Sequence, residues 1–133
     1  MGETQWIWLE QALKQEADLR LIISSYQIIP NQRKQECWGN FPHEQTRLFK
    51  LIKSTQAKGV IFLSGDVHFS EMSLKKDFDY PLYEFTSSAM AHHHNTKNGQ
   101  PNIYSSAPNK NRLHGFSYTA DNYGEIDIKW DGD

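Results

Sequence analysis

The 133-residue chain holds a single cysteine, Cys37, so no intrachain disulfide can form and no cysteine-rich zinc module is encoded. It contains no apolar run near the roughly 18 residues that a bilayer-spanning helix needs. Its first residues, Met1-Gly2-Glu3-Thr4, lack the basic-then-apolar pattern of a secretory signal. Charge of one sign is also missing: 14 Lys plus Arg stand against 16 Asp plus Glu, a net charge of -2. That balance argues against a dedicated nucleic-acid binder, whose phosphate contacts require a basic face. No internal repeat and no linker divides the chain. What is present, 38% hydrophobic residues including 13% aromatics, suits one globular domain.

Trp6, Leu9 and Leu13 recur at helical spacing and predict an amphipathic helix over Glu3 to Ala17 with its apolar side in the core. Gly2 or Thr4 can cap it, and Glu3 suits its positive end. Leu19 to Ile29 is β-rich with little alternation and predicts a strand buried on both faces, ended by Pro30. Asn31 to Asn40 is a polar loop interrupted by Cys37, expected to be half-buried, and Trp38. Pro42 opens a second helix, His43 to about Ala57, with Gly59 as its stop. Val60 to Leu63 then reads as a short buried strand, and Tyr80 to Thr86 as another. Ala89 to about Gly115 is rich in Asn, Ser, His, Lys, Pro and Gly and predicts a long surface loop. Tyr123 to Trp130 alternates well, which places Ile126, Ile128 and Trp130 on the core side of a last strand. Strands alternating with helices imply an α/β layered sheet.

Ser64-Gly65-Asp66-Val67-His68 follows the Val60 to Leu63 strand directly, where α/β sheets present ligand-binding groups. Gly65 permits a tight turn or close ligand approach. On an extended segment Asp66 and His68 project to one side, so a carboxylate oxygen and an imidazole nitrogen can reach one metal ion. The tetrapeptide alone is better served by a turn-forming Asp and a hydrogen-bonded, partly buried structural His.

Its surroundings are more specific. Gly2 to Glu10 (GETQWIWLE), Gln27-Ile28-Ile29-Pro30, Glu36 to Pro42 (ECWGNFP), Leu63 to Phe69 (LSGDVHF), Tyr80 to Ser88 (YPLYEFTSS) and Asn122 to Ile126 (NYGEI) occur in this order. Together they resemble the C-terminal part of the PhoD-like phosphatases, the alkaline phosphatase D branch of the calcineurin-like metallophosphoesterases. The resemblance covers nearly the whole chain. It implies the C-terminal half of a layered α/β/β/α sandwich with a two-metal centre, and a phosphoester substrate. Gly65-Asp66-Val67-His68 matches the family's final ligand motif, so Asp66 and His68 are implied metal ligands. The resemblance implies iron with calcium, and the same donors suit manganese or zinc. The family's earlier ligand motifs, a Gly-Asp-x-x-Asp and an Asn-His pair, are not found before Asp66. The chain is therefore expected to represent a domain without its N-terminal half, to have negligible activity alone, and to self-associate through the surface that half would cover.

Gln27, Glu36 and Trp38 resemble fixed positions of the family and are expected to edge the pocket, with packing as the competing role of Trp38. His92, beside His93 and His94, is expected either to line the substrate mouth or to sit in a solvated loop. Two other functions compete with metal-dependent phosphoester hydrolysis. One is a non-catalytic binding module that uses the 89–115 loop. The other is a hydrolase built on Ser87 or Ser88, although no Gly-x-Ser-x-Gly elbow surrounds them.

Overall fold

Helix α1 (Glu3–Leu13) begins on the Gly2 carbonyl, which accepts from the Trp6 amide at 3.2 Å, and has no side-chain cap. It buries Trp6 and Leu13 and half-buries Leu9, as the spacing predicts. It stops four residues short of Ala17 because Lys14, Gln15 and Glu16 offer the core nothing apolar. Strand β1 (Arg20–Ser24), a 3₁₀ turn (Trp38–Asn40) and helix α2 (Pro42–Ser54) follow, then strands β2 (Val60–Ser64), β3 (Ser70–Lys75) and β4 (Leu82–Ser87). This computed structural model describes residues 1–33, 35–91, 108–115 and 117–131.

Pro42 opens α2 as expected, and Leu48 and Ile52 are its buried anchors. The helix ends on Gln56, not on Gly59. Gln56 takes the left-handed conformation, with φ 54°, its amide bonds Lys53 O at 3.1 Å, and the Ala57 amide reaches back to Ile52 O at 3.2 Å. This pair of bonds is the Schellman arrangement. Gly59 serves a different purpose: at φ 63°, a Cβ there would lie 1.9 Å from the Asp18 carbonyl oxygen.

The strands form one sheet in the order β1-β2-β4-β3, with β1, β2 and β4 parallel and β3 antiparallel to β4. Trp6, Leu13, Ile28, Ile29, Leu48, Ile52, Ala57, Val60, Phe62 and Leu82 form a continuous core on the sheet face that carries both helices. The chain is thus a mixed α/β fold, as the alternating pattern implies.

The opposite face corrects two expectations. The Leu19 to Ile29 run is not a strand buried on both sides: β1 ends at Ser24, lies at the sheet edge, and leaves Ile23 79% exposed. Register places Ile23 beside Leu63, Leu63 beside Phe85, and Phe85 beside Met72, so a continuous apolar stripe crosses the sheet, and no helix of the described residues lies on it. Likewise, residues 123–130 join no strand, and Ile126, Ile128 and Trp130 are exposed. An alternating sequence becomes a strand only where an edge accepts it, and among the described residues none pairs with it. Cys37 is fully buried rather than half-buried.

Strand β3 was not evident in the sequence. Ser-Glu-Met-Ser-Leu-Lys has weak β preference, and its conformation follows from six-residue pairing with β4. Its other edge is taken by the end of the presumed loop. Ser73 bridges Arg112, Leu74 N bonds Asn111 O at 2.7 Å, and Leu113 N bonds Met72 O at 2.7 Å.

Candidate functional site at the carboxyl edge of the sheet

Parallel register brings the carboxyl ends of β1, β2 and β4 together: Ser24 lies beside Ser64, and Ser64 beside Thr86. The Ser64 and Thr86 hydroxyls bond at 2.8 Å. Three connections leave this edge, carrying Gln27 and Arg33 after β1, Asp66 and His68 after β2, and Ser88 after β4.

The Gly65–Phe69 segment is a bend, not the extended stretch the sequence suggests. Asp66 has φ 71° and His68 φ 58°, both in the left-handed region that residues with a Cβ rarely occupy. Gly65 bears no such strain; a Cβ there would make ordinary contacts of 3.6 Å with Ser88 Oγ and 3.8 Å with Ser25 O. Val67 and Phe69 are buried while Asp66 is exposed and His68 half-buried, so two apolar side chains pin the bend and leave the donor-bearing residues outward. Backbone strain of this kind persists where surrounding packing over-determines it, and it gathers at functional sites.

Gln27 does not edge an open pocket. It is fully buried and donates from Nε2 to Glu71 Oε1 at 2.7 Å and to Thr86 Oγ1 at 3.0 Å, while its Oε1 accepts from Arg33 Nη1. Trp38 lies with the core, edge-on to Trp6 at 6.4 Å, and its indole N–H donates to Ser24 Oγ at 3.1 Å. Glu36 is exposed. His92, with His93 and His94, lies outside the described residues. Ser87 donates to Asn122 Oδ1 at 3.0 Å, a partner that cannot act as its base.

A buried polar cluster lies beneath this edge. Glu84 is wholly enclosed, and its two oxygens accept from the Ile28 and Ile29 amides, each at 2.7 Å. Burial pushes its carboxyl up to about 7, against the opposing pull of those two amides and Ser64; the Glu71 carboxylate adds to the rise. Glu71 accepts from Gln27, from Asn109 Nδ2 at 3.0 Å and from Arg112 Nε at 2.7 Å. Burial pulls the Arg33 guanidinium below its usual value, and nearby Glu71, Cys37 and Asp66 counter that. Its carbon lies 5.3 Å over the Phe69 ring, and its Nε is buried without a partner among the described residues. The missed signal was period two in Leu82-Tyr83-Glu84-Phe85-Thr86, which puts Glu84 on the same inward face as Leu82.

The donor chemistry of Asp66 and His68 fits a share of a hard or borderline metal site. Among the described residues no three His, Cys, Asp or Glu side chains converge to complete one, and no helix is long and apolar enough to cross a membrane. The chain is a mixed α/β protein whose three parallel strands end at one edge, the edge at which α/β sheets present ligands. The profile of the PhoD-like phosphatase family matches residues 1–132, and the chain belongs to that family. A solved structure of PhoD shares its fold, with a TM-score of 0.56 and 22% identity over 66% of this chain. The chain spans 20% of the length of that structure. No curated protein matches it.

Proposed function

We propose that the chain is the C-terminal part of a metal-dependent phosphoesterase domain and supplies Asp66 and His68 as two of its metal ligands. The observation that carries this reading is the Gly65–Phe69 bend, where both residues of the Asp-x-His motif occupy left-handed backbone at the carboxyl end of the central strand β2. Membership of a phosphatase family supports the phosphoester substrate. The metal ions, iron with calcium by family resemblance, would supply charge to neutralise the phosphoryl oxygens and to activate water. Asp66 would offer a carboxylate oxygen and His68 an imidazole nitrogen, held in place by Val67 and Phe69. The apolar stripe from Ile23 to Met72, exposed at both ends and half-buried between them, supports a further sheet-bearing half that completes the domain.

The test compares this chain with a version extended by the upstream coding sequence, each assayed on bis(p-nitrophenyl) phosphate. The expected result is turnover only in the extended protein, abolished by a chelator and reduced at least about a hundredfold by Asp66→Ala or His68→Ala. Full turnover in the Asp66→Ala form of the extended protein would remove these ligands from the reading.

A further inference from the structure

The connection after β1 lacks the support that loops at a sheet edge normally draw from water or from a neighbouring strand. Strand β1 ends at Ser24, yet Gln27, Ile28 and Ile29 are buried. Their backbone groups need partners inside the protein. The Ile28 and Ile29 amides find theirs in the two Glu84 oxygens, and the Ile28 carbonyl accepts from Gln45 Nε2 of α2 at 2.6 Å. Next to this clamp, the Gln27 carbonyl accepts from the Trp38 amide at 2.8 Å, and both Gln27 side-chain donors and its acceptor are in use. The last of these bonds comes from Arg33, whose guanidinium covers Phe69 inside the bend. A continuous path therefore runs from Glu84 through Ile28, Gln27 and Arg33 to Phe69, one residue from His68.

We propose that Glu84 is a positioning residue, which clamps the 27–33 connection so that Arg33 presses on Phe69 and holds the Asp66–His68 bend in its strained backbone. The proposal deepens, and rests on, the reading of that bend as the functional site. A carboxyl group suits the task because its two oxygens take one N–H each, whereas the amide of glutamine, of the same shape, has a single acceptor oxygen. Thr86 and Glu71 do not substitute for it, since they hold the Gln27 side chain and not the backbone.

Hydrogen exchange followed by mass spectrometry on the 133-residue chain tests this at peptide level. Glu84→Gln is expected to speed exchange in peptides covering 25–33 and 65–69 at least about tenfold beyond any change in the β2 peptide. Loosening of 25–33 without 65–69, or equal loosening of β2, overturns the proposal. Should that variant fail to fold, Arg33→Met removes the bond to Gln27 Oε1 and the contact with Phe69 but leaves the Glu84 clamp intact: it is expected to expose 65–69 while 27–29 stays protected. Arg33→Lys keeps a cation over the ring and is expected to restore protection to within about threefold; unchanged protection of 65–69 in Arg33→Met overturns the relay. None of these readouts needs phosphoester turnover, so an inactive Asp66–His68 site and a failed clamp give different results.

Discussion

Glu84 stands between opposed influences: two amide donors favour its charged form, and complete burial disfavours it and prevails, raising the carboxyl to about 7 from an ordinary value of 4.5. The folded chain therefore holds this proton more tightly than the unfolded chain. Its contribution to stability is fully present below about 4.5 and is lost as pH rises through about 7. Urea unfolding at pH 5.5 and pH 8 should show the native chain losing about 2 kcal/mol that Glu84→Gln does not lose. An equal decline in the variant would show that other groups govern the window. Gly65 presents the reverse case, a glycine that the backbone does not need. With room for a Cβ and no positive φ, Gly65→Ala should change the unfolding free energy by less than about 0.5 kcal/mol. A larger loss in denaturant titration would show that the bend is tighter than its neighbours suggest.

Two positions three residues apart, Gln56 and Gly59, show how element ends are decided. Gln56 sits in left-handed backbone at the end of α2, where glycine carries no Cβ penalty, so Gln56→Gly should raise the thermal midpoint, by about 0.5–1 kcal/mol in stability. Gly59→Ala should do the opposite and cost at least about 2 kcal/mol, because its Cβ would collide with the Asp18 carbonyl that adjoins β1. Thermal unfolding followed by circular dichroism separates the two; similar shifts at both sites would contradict the geometry. From the sequence, Gly59 is the more obvious helix stop. The choice of Gln56 follows from Ala57 and Ile52 closing the Schellman bond beneath it. The same dependence on neighbours explains β3, whose residues are poor strand formers held by β4 and by residues 111–113, and residues 123–130, good strand formers without a ladder.

For the whole molecule, the informative feature is a sheet whose two faces are covered unequally among the described residues. The helix-bearing face is sealed. The other holds a cleft of about 840 Å³ lined by Ile61, Leu63, Met72, Phe85, Tyr123 and Ile126 among others. An apolar surface of this size beside an exposed parallel edge strand favours association. Size-exclusion chromatography with light scattering on the isolated chain should give oligomers or aggregates, and the extended protein should give a discrete species. A monodisperse, cooperatively unfolding 15.5 kDa monomer would count against a missing covering layer.

Local chemistry was enough to mark α1, α2, β2, β4 and the Gly65-Asp66-Val67-His68 motif, because periodicity, a proline at a helix start and a short motif after an apolar run are contained within a few residues. The sequence by itself determined the family in the same way, through several short motifs in order. Only the tertiary structure decided that Gln27 serves a buried cluster rather than a pocket rim, and that Glu84 clamps Ile28 and Ile29. Those partners lie 44 to 59 positions apart in the chain, and no local pattern encodes which buried carboxylate meets which orphan amide. It likewise decided that Leu21 and Ile23 of β1 face outward while Ile22 packs on the core, since burial of an apolar residue depends on what packs against it.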